Sequence, residues 1–183
     1  MNVPAEIFRT YDIRGVVGRS LTPAVVREIG RALGSMGRER GAATFAVCRD
    51  GRLSGPELSA ALADGLTAAG ADVVDIGMGP TPLAYFAVYH LGTGSCVAVS
   101  GSHNPPEYNG LKIVVAGDTL YGDDIQEIRR RIESGRFLSG DGKRRTADVL
   151  DAYVERIARD VKIARPFHIA VDCGNGVAGM LAP

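Results

Sequence analysis

Short apolar runs alternate along the chain with segments whose apolar residues recur every three or four positions. The runs Thr44 to Cys48, Val73 to Ile76 and Cys96 to Ser100 have the length of buried strands rather than of helices. The segments between them are predicted helices, the first beginning at Thr22-Pro23 and the second capped by Ser54. Apolar strands separated by helices are typical of a largely parallel sheet covered on both faces. We therefore predict a mixed α/β fold that binds ligands at the carboxyl ends of its strands.

The next part of the chain extends this domain. Leu111 to Val115 is predicted to return as a strand after a loop rich in proline, asparagine and glycine. A helix is predicted from Asp123 to Glu133, and its first turn is acidic, as the helix dipole favours. The polar segment Gly135 to Thr146 contains glycines and is the best candidate for a linker.

The last part of the chain has a different organisation. A further helix is predicted from Asp148 to Val161, and Pro166 prevents its continuation. Phe167 to Val171 is predicted to begin a new strand that has nothing after it to pair with. We therefore divide the chain into a first α/β domain at 1–146, a connecting helix at 147–166 and the truncated start of a second α/β domain at 167–183.

Composition excludes several classes of function. The chain has 21 basic and 21 acidic residues, so it lacks the basic excess of a nucleic-acid-binding protein. Its three cysteines, Cys48, Cys96 and Cys173, are far apart and show neither zinc nor redox spacing. No stretch approaches the length of a membrane span, and the N-terminus has no signal-peptide core. We therefore expect a cytoplasmic protein that binds neither nucleic acid nor membrane.

The loop after the Cys96 to Ser100 strand has the most unusual chemistry. It reads Gly101-Ser102-His103-Asn104-Pro105-Pro106, with a glycine before the serine and two prolines that stiffen the backbone after it. A hydroxyl on a rigid loop at a strand end can carry a covalent intermediate, but the same residues also form ordinary turns. A serine hydrolase is disfavoured, because neighbours in an extended segment point to opposite sides and His103 could not deprotonate Ser102.

Three motifs together resemble a known family. They are Phe8 to Gly15 (FRTYDIRG), Cys48 to Arg52 (CRDGR) and the serine loop within SGSHNPPEYNGLKIV. In this order and spacing they closely resemble the α-D-phosphohexomutase superfamily, and most of all its phosphomannomutase/phosphoglucomutase branch. The resemblance runs over the whole chain and includes Asp172 to Gly176 at the start of the second domain.

The resemblance implies a mechanism and a set of site residues. Ser102 stands at the position of a phosphoserine that phosphorylates a hexose phosphate, giving a hexose 1,6-bisphosphate whose other phosphate returns to the serine. His103 and Lys112 match residues that line the reacting phosphate, with Lys112 a candidate for proton transfer. Tyr11 and Arg14 match residues that reach into the same cleft. The resemblance further implies Mg²⁺, to which Ser102 contributes one ligand through its phosphate.

The residues agree with parts of this interpretation and leave others open. Phosphoryl transfer needs cations near the reacting group, and a hairpin-like path could bring Lys112 back to Ser102. Arg14 lies in a segment without helical period and is therefore free to be a loop ligand. Asp50 and Arg52, with Arg49, either orient the site or form a structural ion pair. A GxGxxG pattern at 174–179 leaves no room for the acidic ribose partner of a dinucleotide site.

Alternatives to a complete mutase stay open. Members of the family have about four domains, so the remaining domains of the same enzyme are expected partners and the 183-residue chain alone is expected to be inactive. A non-catalytic binding or regulatory module with the same fold is the second possibility. A phosphoglucosamine mutase is the nearest competitor, although Gly101 and the Pro106-Glu107-Tyr108 segment disfavour it. The sequence does not separate glucose from mannose as the substrate.

Overall fold

The computed structural model describes residues 2 to 182. One mixed sheet of seven strands has the order β1-β5-β4-β2-β3-β7, with β6 paired to β5. The parallel members are β2, β3, β4 and β7, whereas β5 runs antiparallel to both β1 and β4. The predicted mixed and largely parallel sheet is therefore confirmed. The strands are Ile13–Val16 (β1), Thr44–Arg49 (β2), Asp72–Met78 (β3), Gly94–Val99 (β4), Tyr108–Val115 (β5), Asp118–Thr119 (β6) and Arg144–Thr146 (β7).

Helices cover both faces of this sheet. They are Pro23–Glu39 (α1), Gly55–Ala68 (α2), Thr81–His90 (α3), Asp123–Ser134 (α4) and Leu150–Asp160 (α5). Short 3₁₀ turns lie at Ala5–Ile7 and Val177–Met180. In the part of the chain that the structure describes, no helix is both long enough and apolar enough to cross a lipid bilayer.

The strands divide their side chains between two hydrophobic layers because successive residues of a strand point to opposite faces. Val97 and Leu111 lie in the larger layer, together with apolar residues of α1, α2 and α4. Ala98 and Val114 lie in the smaller layer, beneath α3. This arrangement places the carboxyl ends of β2, β3 and β4 at one edge of the sheet, where the loops after these strands meet.

The two predicted helix caps have different outcomes. Thr22 caps α1, because its side chain accepts a hydrogen bond from the Val25 amide at 3.3 Å and Pro23 occupies the first turn. The prediction for Ser54 is wrong. Ser54 has a helical backbone, with φ of −76° and ψ of −13°, and makes no side-chain cap bond to α2. Its hydroxyl instead accepts a hydrogen bond from the Asn109 side-chain amide at 2.9 Å.

The predicted linker at 135–146 is attached to the first domain. Its last three residues form β7, which pairs in parallel with Val73 to Asp75 of β3. The Leu138 amide donates to the hydroxyl of the buried Ser35 at 2.9 Å. The last three residues of this segment are polar because they form an exposed edge strand, and all three face solvent.

The predicted strand from Phe167 to Val171 is wrong for this structure. Those residues have no regular secondary structure, and the side chains of Phe167, Ile169 and Val171 are mostly exposed. A strand forms only beside a hydrogen-bonding partner, and residues 2 to 182 place none there. The helix before this segment, α5, packs on α3 through the Tyr153 and Phe86 rings, whose centroids lie 5.4 Å apart.

Candidate active site

A cleft of about 900 Å³ lies at the carboxyl edge of the parallel strands. Its walls come from the loops after β2, β3 and β4, which contribute Arg52, Pro80 and Ser102 among others. Residues 174–178 near the end of the chain also line this cleft. The structure therefore places the serine loop where the fold class predicts a ligand site.

Ser102 has an unusual backbone at this edge. Its φ is +50°, in the left-handed region that residues with a side chain rarely adopt. Its amide donates to the Ser100 hydroxyl at 3.0 Å, and its own hydroxyl faces Arg14 Nη2 at 3.4 Å. The segment is therefore a tight turn, and the extended backbone assumed in disfavouring a Ser102–His103 pair is wrong.

Arg14 approaches the serine from β1. It lies in a strand opposite Gly110 of β5, which corrects the expectation that it is a loop residue. The side chain is only 3% exposed, and it donates to Asp12 Oδ2 at 2.6 Å and to the Ser100 carbonyl at 2.9 Å. A Cβ atom on Gly110 would lie 3.1 Å from the guanidinium carbon, so a glycine gives Arg14 its space.

Asp50 and Arg52 approach the serine loop from the loop after β2. The Asp50 carboxylate accepts hydrogen bonds from the Gly101 amide at 2.8 Å and from the Arg52 amide at 3.0 Å. The Arg52 guanidinium donates to four carbonyl oxygens of the serine loop, at distances of 2.5 to 3.1 Å. The acceptors are Ser102, Asn104, Pro105 and Tyr108.

The other residues of the predicted site are less closely associated with Ser102. Tyr11 is exposed on a loop that is fastened to the start of α4 by the Gly122 amide, which donates to the Thr10 carbonyl at 2.5 Å. His103 is exposed beside Ser102. Lys112 is partly buried on β5 opposite Ala98, and its ammonium has no hydrogen bond or ion pair with any of residues 2–182. The structure thus brings Arg14 to the serine, whereas these three side chains make no hydrogen bond to it within the same residues.

Two residues of the site were only partly foreseen. The sequence left Asp50 and Arg52 open between an orienting role and a structural ion pair, and their contacts show that they hold the serine loop. A recognisable signal was present, because Asp12-Ile13-Arg14 and Asp50-Gly51-Arg52 share the spacing Asp-x-Arg.

Two of the three cysteines are buried thiols with low reactivity. Cys48 and Cys96 are buried beneath α3, and burial raises the pKa of each thiol to about 12. A thiol with so high a pKa stays protonated at neutral pH and reacts slowly. Cys173 is also a free thiol.

Comparison with known proteins gives a consistent result. The family model described as phosphoglucomutase/phosphomannomutase, alpha/beta/alpha domain I, matches residues 5–139. A phosphomannomutase/phosphoglucomutase of Pseudomonas aeruginosa is 52% identical over 181 residues, which are 99% of this chain and 39% of that protein. A probable phosphoglucosamine mutase of Thermococcus kodakarensis is more distant, at 34% identity over 183 residues, 97% of this chain and 40% of that protein.

The fold comparison agrees with the sequence comparison. A crystal structure of a phosphoglucomutase/phosphomannomutase family protein from Burkholderia thailandensis has a TM-score of 0.93 and 54% identity. The match covers 98% of this chain and 41% of that chain. This chain therefore spans about two fifths of the length of these relatives. With a family model matched over most of its length and the fold shared, the chain belongs to the phosphoglucomutase/phosphomannomutase family and contains its alpha/beta/alpha domain I.

Proposed function

We propose that this chain carries the phosphoryl-accepting serine of an enzyme that interconverts hexose 1-phosphate and hexose 6-phosphate. The observation that carries the proposal is the Arg14 guanidinium, which lies 3.4 Å from Ser102 Oγ beside the cleft. Phosphoryl transfer depends on charge neutralisation and alignment more than on covalent assistance. A buried arginine facing an exposed hydroxyl supplies both.

The proposed reaction has two transfers. In the first, which starts from phosphorylated Ser102, the bond between phosphorus and Ser102 Oγ breaks while a bond forms to a hydroxyl of the hexose monophosphate; the proton of that hydroxyl leaves to a base, and Ser102 Oγ takes up a proton. The product is a hexose 1,6-bisphosphate. In the second transfer the bond between its other phosphorus and sugar oxygen breaks, that oxygen takes up a proton, and Ser102 Oγ loses its proton as it binds the phosphorus. Lys112 is the proposed proton-transfer residue, His103 lines the reacting phosphate, and Tyr11 and Arg14 bind phosphate or substrate.

Magnesium is the proposed cofactor, with Ser102 supplying a ligand through its phosphate. Oxygen ligands of this kind suit Mg²⁺, and the bound ion would neutralise charge on the phosphate. Residues 2 to 182 contain no group of three histidine, cysteine, aspartate or glutamate side chains that could hold a metal ion. Further ligands would therefore come from another part of the enzyme.

The rest of the enzyme is the proposed partner of this chain. We propose a first domain at 1–146, a connecting helix at 147–166 and the start of a second domain at 167–183, followed by the domains that bind the sugar. The relatives support the presence of further domains, because the chain matches only 39% of the Pseudomonas aeruginosa protein. We also propose a cytoplasmic location, in keeping with three cysteines that are all free.

Intact mass measured on the natural full-length protein tests the proposal. After treatment with hexose 1,6-bisphosphate, the wild type should carry one phosphate and Ser102→Ala should carry none. A wild type that carries no phosphate after this treatment would overturn the proposal. Turnover assays with glucose, mannose and glucosamine phosphates then identify the sugar, and the 183-residue chain alone should show no turnover.

A further inference from the structure

We propose that Arg52 is a positioning residue, which holds the serine loop in the conformation that presents Ser102 Oγ to Arg14. This inference rests on the proposed function of Ser102 and assigns to Arg52 no contact with the substrate. It depends on how Arg52 uses its hydrogen-bond donors, and on the groups that hold the backbone on each side of Ser102.

The four terminal N–H groups of the Arg52 guanidinium are all hydrogen-bonded to the serine loop. The guanidinium carries five N–H groups, two on each terminal nitrogen and one on Nε. Nη1 donates to the Pro105 and Tyr108 carbonyls, and Nη2 donates to the Ser102 and Asn104 carbonyls. Nε lies 3.5 Å from Asp50 Oδ2. Arg52 lines the cleft, yet its donors are directed at the protein backbone rather than at the open space.

Three polar groups around Ser102 are each held by a different side chain. The Gly101 amide donates to Asp50, the Ser102 amide donates to the Ser100 hydroxyl, and the Ser102 carbonyl accepts from Arg52. A left-handed residue with a side chain costs roughly 1–2 kcal/mol and persists only where its surroundings impose it. Arg52 and Asp50 supply that constraint from one side of the loop.

The fit between Arg52 and the loop is close enough to exclude a larger residue at position 101. A Cβ atom on Gly101 would lie 1.8 Å from Arg52 Nε and 2.1 Å from its guanidinium carbon. The Arg52 side chain is only 17% exposed. A lysine at position 52 would keep the charge but could not reach four carbonyls, because its ammonium is a single point with three donors.

The experiment compares the natural full-length protein with Arg52→Lys and Arg52→Gln, and with Arg144→Gln as the control. Arg144 lies on the edge strand β7 and forms an exposed ion pair with Asp64 of α2. The rate of Ser102 phosphorylation is followed by intact mass over a range of glucose 1,6-bisphosphate concentrations. Amide hydrogen exchange of residues 99–110 reports the order of the loop independently of any reaction.

Both Arg52 variants should phosphorylate Ser102 roughly 100-fold more slowly at saturating bisphosphate, because small displacements of a reacting group cost rates of this size. The concentration that gives half the maximal rate should stay within about twofold of the wild type. Hydrogen exchange should increase in the loop and not in the rest of the sheet. The Arg144→Gln control should behave as the wild type in all three measurements.

Three results would overturn the inference. They are a full rate in Arg52→Lys, a loss that higher bisphosphate concentration restores, and unchanged hydrogen exchange in the loop. A wild type that never accepts phosphate would overturn the proposed function instead. The exchange measurement would then still decide whether Arg52 orders the loop.

Discussion

Two Asp-x-Arg pairs hold the serine loop from opposite sides, and they do so in different ways. Asp12 and Arg14 lie on the β1 side, almost fully buried, with a contact of 2.6 Å between Nη2 and Oδ2. Asp50 and Arg52 lie on the β2 side, more exposed and 3.5 Å apart. Arg14 reaches the Ser102 hydroxyl, whereas Arg52 reaches the backbone carbonyls around it.

The two pairs therefore have different roles: the β1 pair places positive charge beside the Ser102 hydroxyl, and the β2 pair holds the backbone of the loop. On the β1 side the carboxylate fixes the arginine, and the arginine faces the group proposed to react. The second oxygen of Asp12, Oδ1, is buried and has no hydrogen-bond partner within residues 2–182. On the β2 side both members of the pair bind the loop itself, with Asp50 on the Gly101 amide. Loss of the first pair should therefore affect folding and charge, and loss of the second should affect alignment.

The largest expected effect is that of Ser102→Ala, which removes the hydroxyl that Arg14 faces and that the loop contacts of Asp50 and Arg52 hold in place. Turnover by the full-length protein should fall below detection, because neither arginine can accept a phosphoryl group in its place. Steady-state assays with glucose 1-phosphate measure this. Residual turnover close to that of the wild type would show that the proposed nucleophile is wrong.

Ser102→Gly is the matched control for the backbone, since it also lacks the hydroxyl but tolerates the φ of +50°. It should be as inactive as Ser102→Ala and more stable than it by roughly 1 kcal/mol. Urea unfolding of the two variants gives the difference. Equal stabilities would argue against a strained left-handed conformation at this position.

Arg14→Met should have the next largest effect, this time on stability. Removing one partner of a buried ion pair leaves an uncompensated charge and costs about 3–5 kcal/mol. Arg52→Met should cost less, because the loop carbonyls that it frees can bind water. Urea unfolding of both variants measures the contrast.

The double variant Asp12→Asn/Arg14→Met isolates the cause of that loss. It should recover part of the lost stability, because the orphaned charge is then removed as well. If Arg14→Met and Arg52→Met were equally stable, the difference in burial between the two pairs would have no energetic meaning.

Much of the scaffold was predictable from the sequence because it depends on local patterns. The α1 cap at Thr22 and the strand from Thr44 are encoded in residue spacing, and the structure has both. Local patterns could not predict the position of Arg14 near the serine, because β1 is only four residues long and its antiparallel pairing with β5 is a long-range property. Only the family resemblance implied that position.

The failures share a physical cause, which is competition from residues distant in sequence. Ser54 looked like a helix cap, but its hydroxyl binds Asn109 from another part of the chain. Phe167 to Val171 has the alternation of a strand, but no pairing strand lies beside it in residues 2–182. The contacts of Arg52 depend on where the loop carbonyls point, and no local pattern encodes that direction.

A smaller effect is expected for Gly101→Ala, which tests the closeness of the Arg52 contact. The added methyl group would meet the Arg52 guanidinium at 1.8 Å, so the arginine must shift away from the loop. Overpacking of this kind costs about 1–3 kcal/mol, and phosphorylation of Ser102 should slow as it does in the Arg52 variants. Urea unfolding and intact mass measure the two effects.

Gly51→Ala is the matched stability control, in the loop between Asp50 and Arg52. Among residues 2–182, a Cβ atom there would find only the Met78 sulfur within 4 Å, at 3.9 Å. Its free energy of unfolding should change by less than about 0.5 kcal/mol, as at other unconstrained surface positions. If Gly101→Ala were equally harmless, the serine loop would not be pressed against Arg52.

The smallest expected effect is that of Glu39→Gln, which removes the negative charge from the Glu39–Arg131 ion pair between α1 and α4. This pair does not involve the serine loop, so it serves as a reference for the stability effects of the two Asp-x-Arg pairs. A hydrogen bond from Arg131 lowers the pKa of the Glu39 carboxyl, although the side chain is 44% exposed. A lowered pKa stabilises the fold above the ordinary pKa of glutamate, and that contribution is lost as the pH falls through the lowered value. Glu39→Gln should therefore cost less than about 1 kcal/mol at neutral pH, because solvent screens the pair. The difference from the wild type should shrink toward zero in acid, as urea unfolding at neutral and acidic pH would show. If the difference in free energy of unfolding persisted unchanged in acid, Glu39 would act through packing rather than charge. The Glu39–Arg131 pair could then not serve as a reference for the buried Asp12–Arg14 contact.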